Sequence, residues 1–126
     1  MENKTAFLDT QENSKNLRRA KKTQSAFLSV FGDSPVLKVF DFLVVNEDFD
    51  YSMTDIASLS GVGYSTLKLF FGKLESQGIV VKVREVGKAK MYRLNMINPV
   101  VKKFRDLYWE TAKQRVHEKV KELVVA

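Results

Sequence analysis

The feature that most restricts this chain is a change of hydrophobic period at Gly78. Upstream of it two short helical patterns stand back to back, and downstream the apolar residues alternate singly. Ser52-Met53-Thr54-Asp55 has the form of a capping box, serine reaching forward to a free amide and aspartate reaching back. It opens a short helix with Ile56, Ala57 and Leu59 inward, ending at Ser60-Gly61. Val62 and Gly63 leave room only for a tight connection. The next helix is predicted over residues 64–77, with Leu67, Phe70, Phe71 and Leu74 inward, and Gly78 closes it in a left-handed cap. Beyond it, Ile79, Val81 and Val83 are the expected inward side of a half-buried strand, alternating with Val80, Lys82 and Arg84. A turn over residues 85–89, centred on Gly87, leads to a returning strand over 90–95 with Tyr92 and Leu94 inward.

The flanks are helical. Leu17, Ala20, Phe27, Leu28 and Phe31 fall at helical spacing within residues 16–31, opposite a basic face of Lys15, Arg18, Arg19, Lys21 and Lys22. Gly32 and Asp33 break that helix, and the first dozen residues are expected to be mobile. Ser34-Pro35 starts another, because serine can cap free amides and proline gives up an amide that would be unpaired anyway. Its stripe of Val36, Leu37, Val39, Phe40, Leu43 and Val44 suits burial. Residues 46–51 then form a short acidic loop. Asn98-Pro99 repeats the cap-and-proline device and opens a long helix, with Val100, Val101, Phe104, Leu107 and Tyr108 early and Ala112, Val116, Val120 and Leu123 later. The predicted class is mainly α with one small β-hairpin. Its parts are an N-terminal segment (1–33), a central domain (34–97) and a C-terminal helix (98–126).

Charge is distributed unevenly. The chain carries +6 overall, but residues 34–60 sum to −4 and residues 61–97 to +5. A positive balance packed into the second helix of the pair and the hairpin is the footprint of a polyanion-binding face. The 44% hydrophobic content supports one core without metals or disulfides, and the chain has no cysteine. Residues 1–16 do not resemble a signal peptide, and no segment approaches the ~18 apolar residues of a membrane span. A cytoplasmic location is the expectation.

Catalytic readings find little support. His117 is the single histidine, set among Arg115, Glu118 and Lys119, and has no partner at metal or triad spacing. Glu47, Asp48 and Asp50 lack the spacing of a calcium loop. No phosphate-binding glycine loop is present. The expectation is a non-enzyme with no cofactor and no metal site.

Two short helices joined by a glycine turn and followed by a hairpin make a winged helix-turn-helix arrangement. Asp55-Ile56-Ala57 through Gly61-Val62, then Ser65-Thr66-Leu67, Leu74-Glu75 and Gly78-Ile79-Val80, resemble regulators of the MarR and ArsR type. The chain from Pro35 onward is also similar to a family of small archaeal winged-helix proteins. The resemblance implies that residues 64–77 enter the major groove, with Tyr64, Ser65, Lys68 and Leu69 facing the bases. Thr66 and Lys73 would flank the helix on phosphates, and Arg84, Lys88, Lys90 and Arg93 would line a wing over residues 80–94 that touches backbone or minor groove. Arg18 and Arg19 are candidates for extra phosphate contacts, or for the outer face of a packed helix. Leu69 departs from the polar residue common there; it could meet a thymine methyl group or a protein partner. Gly72 departs too, as a poor helix former.

The C-terminal helix is too long and apolar for one small domain to cover, and related regulators dimerise through terminal helices. Phe104, Tyr108, Trp109, Ala112 and Val116 are the expected interface, the alternative being that Trp109 packs on the N-terminal helix. The expected function is a sequence-specific regulator of duplex DNA, a dimeric repressor. The alternatives are a winged-helix protein-interaction module and an architectural protein that binds DNA without sequence preference.

Overall fold

A computed structural model describes residues 24–125, which form five helices and one antiparallel hairpin. In chain order these are α1 (Ala26–Phe31), α2 (Pro35–Val45), α3 (Met53–Ser60), α4 (Tyr64–Ser76), β1 (Val80–Val86), β2 (Ala89–Leu94) and α5 (Pro99–Val125). None of the described helices is long and apolar enough to cross a membrane.

The helix expected over 16–31 is not continuous. Ser25 caps α1, its hydroxyl oxygen accepting the Leu28 amide at 3.1 Å. A serine that takes an amide three residues ahead offers the backbone an alternative to further helix. The expectations for Leu17, Ala20 and the basic face that includes Arg18 and Arg19 lie outside the described residues. Pro35 opens α2 as anticipated, although the Ser34 hydroxyl makes no cap hydrogen bond. The forward half of the capping box forms, Ser52 Oγ accepting the Asp55 amide at 3.2 Å.

The α3–α4 pair forms around Gly61, whose φ of 76° is the left-handed value that a side chain would strain. Val62 turns into the core directly afterwards. One face of α3 is filled by Ile56 and Ala57. Leu59, expected inward, is instead 58% exposed at the rim of a groove beside Phe42 and Val45. In α4, Leu67 and Phe71 are buried, with Phe70 and Leu74 packed against them.

The hairpin corrects the expected inward side of β1. Val80, paired with Leu94, is buried, whereas Val81 and Val83 are exposed. Ile79 packs inward before the strand begins, its amide held by the Leu74 carbonyl at 2.9 Å. A register shift between Lys82 and Arg84 then breaks the alternation, and past that point no layer among the described residues covers either face of β1. On β2 both Tyr92 and Leu94 are inward as anticipated. The strands are joined by the two-residue turn Gly87-Lys88, where Gly87 has φ 61°. A positive φ at the first central position suits the right-handed twist of a hairpin. Tyr51 adds a single bridge to β2, exchanging both backbone hydrogen bonds with Tyr92 at 2.8 Å.

The start of α5 is bound to the end of α4. Asn98 caps α5 by accepting the Val100 amide at 2.8 Å, and its Nδ2 donates to the Gly78 carbonyl at 2.9 Å. Asn95 Nδ2 donates to the same carbonyl at 3.0 Å. From there Val101 and Tyr108 are buried and Phe104 packs on the core. Phe104 stands edge-on to Phe27 at 5.0 Å and lies 4.7 Å from Phe40, and Tyr108 lies 5.6 Å from Phe27. α1 is thereby held between α2 and α5. Of the residues expected at a dimer interface, Tyr108 is buried in the core and Phe104, half-buried, packs against it on the side of α5 that α1 and α2 cover. Burial pushes the Tyr108 phenol well above its ordinary value, and Asp41 beside it adds to the shift.

Candidate nucleic-acid interface

Helix α4 has two faces of opposite character. Its inner face is held by Phe71, whose ring meets Tyr92 edge-on at 4.9 Å and so fixes the hairpin against the helix. Burial raises the Tyr92 phenol above its ordinary value, with the Glu75 carboxylate adding to the effect. The outer face presents Tyr64, Ser65, Lys68, Leu69, Gly72 and Lys73, all exposed, while Thr66 is half-buried. These positions recur every three and four residues, so they form one stripe. Between residues 64 and 74 the stripe carries Lys68 and Lys73 and no acid. Lys68 Nζ sits 5.5 Å from the centre of the Tyr64 ring, a cation–π contact that orients both groups at the first turn.

The wing divides its cations into two sets. Lys82 and Arg84 are neutralised within the fold. Lys82 Nζ donates to Glu85 at 2.8 Å, and this pairing holds the lysine above and the carboxylate below their ordinary values. Arg84 donates through Nε and Nη2 to both carboxylate oxygens of Asp50, at 2.6 and 3.0 Å. The Arg84 guanidinium in turn holds the Asp50 carboxyl below its ordinary value. Lys88 in the turn and Lys90 and Arg93 on β2 are exposed and form no ion pair among the described residues. Lys88, Lys90 and Arg93 thus stay exposed without an ion pair, whereas Arg84, itself still exposed, is drawn to Asp50, because a fork of five donors matches a nearby carboxylate.

Sequence reasoning missed what the acidic loop does. Asp50 holds β1 through Arg84, and Glu47 holds α5 by accepting from Arg105 Nε and Nη2 at 2.8 and 2.9 Å. Tyr51, in the same loop, holds β2. Three neighbouring residues therefore bind the loop to both strands and the C-terminal helix. The only signal in the sequence was three acids set in a chain that is basic elsewhere.

The remaining expected interface residues lie on the distal part of α5. Trp109 meets Tyr108 edge-on at 5.1 Å and is 41% exposed. Trp109, Ala112, Val116 and Val120 fall at steps of three and four residues and line an apolar groove of about 570 Å³, with Lys113 and His117 at its edges.

No protein-family model and no curated protein matches the chain. Among solved structures it is similar to an apo form of ZitR from Lactococcus lactis, at 14% identity over 93% of this chain and 82% of that one, with a TM-score of 0.54. A MarR family protein from Bacillus stearothermophilus aligns over 99% of this chain and 89% of its own, at 17% identity and a TM-score of 0.51. The transcriptional repressor CouR, in a complex with a 23-mer DNA duplex, aligns over 86% and 78% at 18% identity and a TM-score of 0.50. At such identities the likeness is one of backbone. It agrees with the helix pair, the hairpin and the terminal helix, and the chain has the winged helix-turn-helix fold of these proteins.

Proposed function

We propose that this protein is a sequence-specific transcriptional regulator that binds duplex DNA as a homodimer and acts as a repressor by occupying its operator. The observation that carries this reading is the outer face of α4, an exposed stripe beginning with Tyr64, Ser65 and Lys68 on a helix whose inner face carries the hairpin. A helix with side chains fits the major groove, and its first turns lie nearest the base edges. Lys68 and Tyr64 supply directed contacts there, with Ser65 beside them and Thr66 and Lys73 at the flanks. Lys88, Lys90 and Arg93 supply phosphate neutralisation from the wing. CouR, a repressor of the same fold, is bound to a DNA duplex.

Dimerisation uses the distal half of α5, where Trp109, Val116 and Val120 are exposed and Ala112 is half-buried. A two-fold dimer places two α4 helices on successive major-groove faces and reads an inverted repeat with half-sites about one helical turn apart.

The test is selection from a randomised duplex pool at about 150 mM salt, followed by anisotropy on the enriched sequences. An enriched inverted repeat supports the whole reading. Binding without enrichment removes sequence specificity, and absence of binding removes DNA as the partner. Two substitutions assign roles within the site. Lys68→Ala is expected to weaken binding and relax sequence preference, while Lys88→Ala weakens all sequences alike and lowers the salt slope by about one unit.

A further inference from the structure

Leu69 is 85% exposed, more than any other large hydrophobic side chain among the described residues. It occupies the middle of the outer stripe of α4, with Ser65 one turn before it, Lys68 beside it, and Gly72 and Lys73 one turn after. Gly72 is equally unusual. A Cβ built on it meets nothing within 4 Å, so no packing inside the described protein requires a glycine, although glycine destabilises a helix interior relative to alanine. The pair therefore presents a branched apolar side chain beside bare backbone, in a stripe that carries Lys68 and Lys73 and no acid.

The major groove offers one apolar group to such a surface, the 5-methyl of thymine; the other base edges present hydrogen-bond donors and acceptors. Against leucine those polar edges lose water and gain no hydrogen bond in return. Resting on the DNA-binding reading above, we infer that Leu69 is a specificity-determining residue that selects thymine through its 5-methyl group, and that Gly72 lets the groove approach closely enough for the contact. The exposed leucine thus acts twice, attracting the methyl and rejecting polar edges at the same position.

The test compares two duplexes of alternating A·T pairs, identical except that deoxyuridine replaces thymidine in one. The only difference is the methyl group. The parent protein is expected to bind the uracil duplex about fourfold more weakly for each methyl contacted. Leu69→Ala should bind both duplexes alike and, because the side chain is exposed, melt at the parent's temperature. Gly72→Ala should melt higher yet bind the thymine duplex more weakly, a combination that a purely structural glycine does not give. Equal, salt-dependent binding of the parent to both duplexes overturns the inference while leaving DNA binding intact. Discrimination that survives in Leu69→Ala also overturns it, and undiminished affinity in Gly72→Ala removes the part given to that residue. Failure to bind either duplex at any salt overturns the DNA reading and with it the inference.

Discussion

Residues 99–108 and 109–125 of α5 belong to one unbroken helix and carry apolar side chains at the same spacing, yet they meet different surroundings. In the first part Val101 and Tyr108 are 0% and 4% exposed; in the second Val116 and Leu123 are 63% and 80% exposed. The difference is one of reach. At 1.5 Å per residue the helix continues about 25 Å past Tyr108, whereas the six residues of α1 span only about 9 Å. The hydrogen bond from Arg115 Nη1 to the Gln24 carbonyl, at 2.8 Å, is a late tie between the helix and the domain. An amphipathic pattern states that a face requires cover; it does not state whether the cover comes from the same chain.

The same charge placed on each part of α5 should have opposite consequences. Val101→Asp buries an unpaired carboxylate and should cost about 4 kcal/mol or more, enough to unfold a domain of this size. Val116→Asp should leave a folded monomer within about 0.5 kcal/mol of the parent and abolish association in sedimentation equilibrium. If Val116→Asp unfolds the chain, or leaves a dimer, the distal half does not serve as the interface.

A second, smaller effect sharpens the proximal side. The Tyr108 phenol ionises far above its ordinary value, so the native state keeps its proton where the unfolded chain has lost it. A raised native value contributes stability that is complete below the unfolded value of 10 and declines as pH rises beyond it. Stability should therefore fall above about pH 10, and Tyr108→Phe should flatten that decline. Absorbance titration in which all four tyrosines ionise together in a folded protein would contradict this placement.

The hairpin repeats the contrast on a smaller scale, buried at the Val80–Leu94 base and exposed toward the tip. Its exposed part is steadied by the Arg84–Asp50 pair, and the smallest predicted effect concerns that pair. The native Asp50 value lies below 3.8, so its contribution is present above that pH and is lost as pH falls through the depressed value. The melting-temperature gap between the parent and Asp50→Asn should be constant near neutrality and close in acid. A gap that persists unchanged at pH well below 3.8 would show that the carboxylate charge is not what steadies the strand.

Much of the fold was legible because its signals are local. Pro35 and Pro99 mark helix starts, Gly61 and Gly78 mark stops, and Tyr92 and Leu94 declare the inner side of a strand by alternation. Exposure was legible at Lys68, Lys88, Lys90 and Arg93, where it follows from position on an element. The pairing of Arg84 was not, because its partner Asp50 is 34 residues away and comes within reach only when the acidic loop folds against β1. Leu59 and Val81 misled for a related reason, since a period says which residues share a face but not whether another layer covers it.

What the sequence determined by itself was the order of elements, the winged helix-turn-helix arrangement and the side of α4 that faces outward. Short-range hydrogen bonding, proline and glycine stereochemistry and hydrophobic spacing suffice for each. Tertiary structure alone decided which aromatic residues of α5 belong to the core, which wing cations find a carboxylate, and how the loop at Glu47, Asp50 and Tyr51 joins hairpin to helix. Those outcomes depend on contacts between segments far apart in the chain, whose geometry no local period encodes.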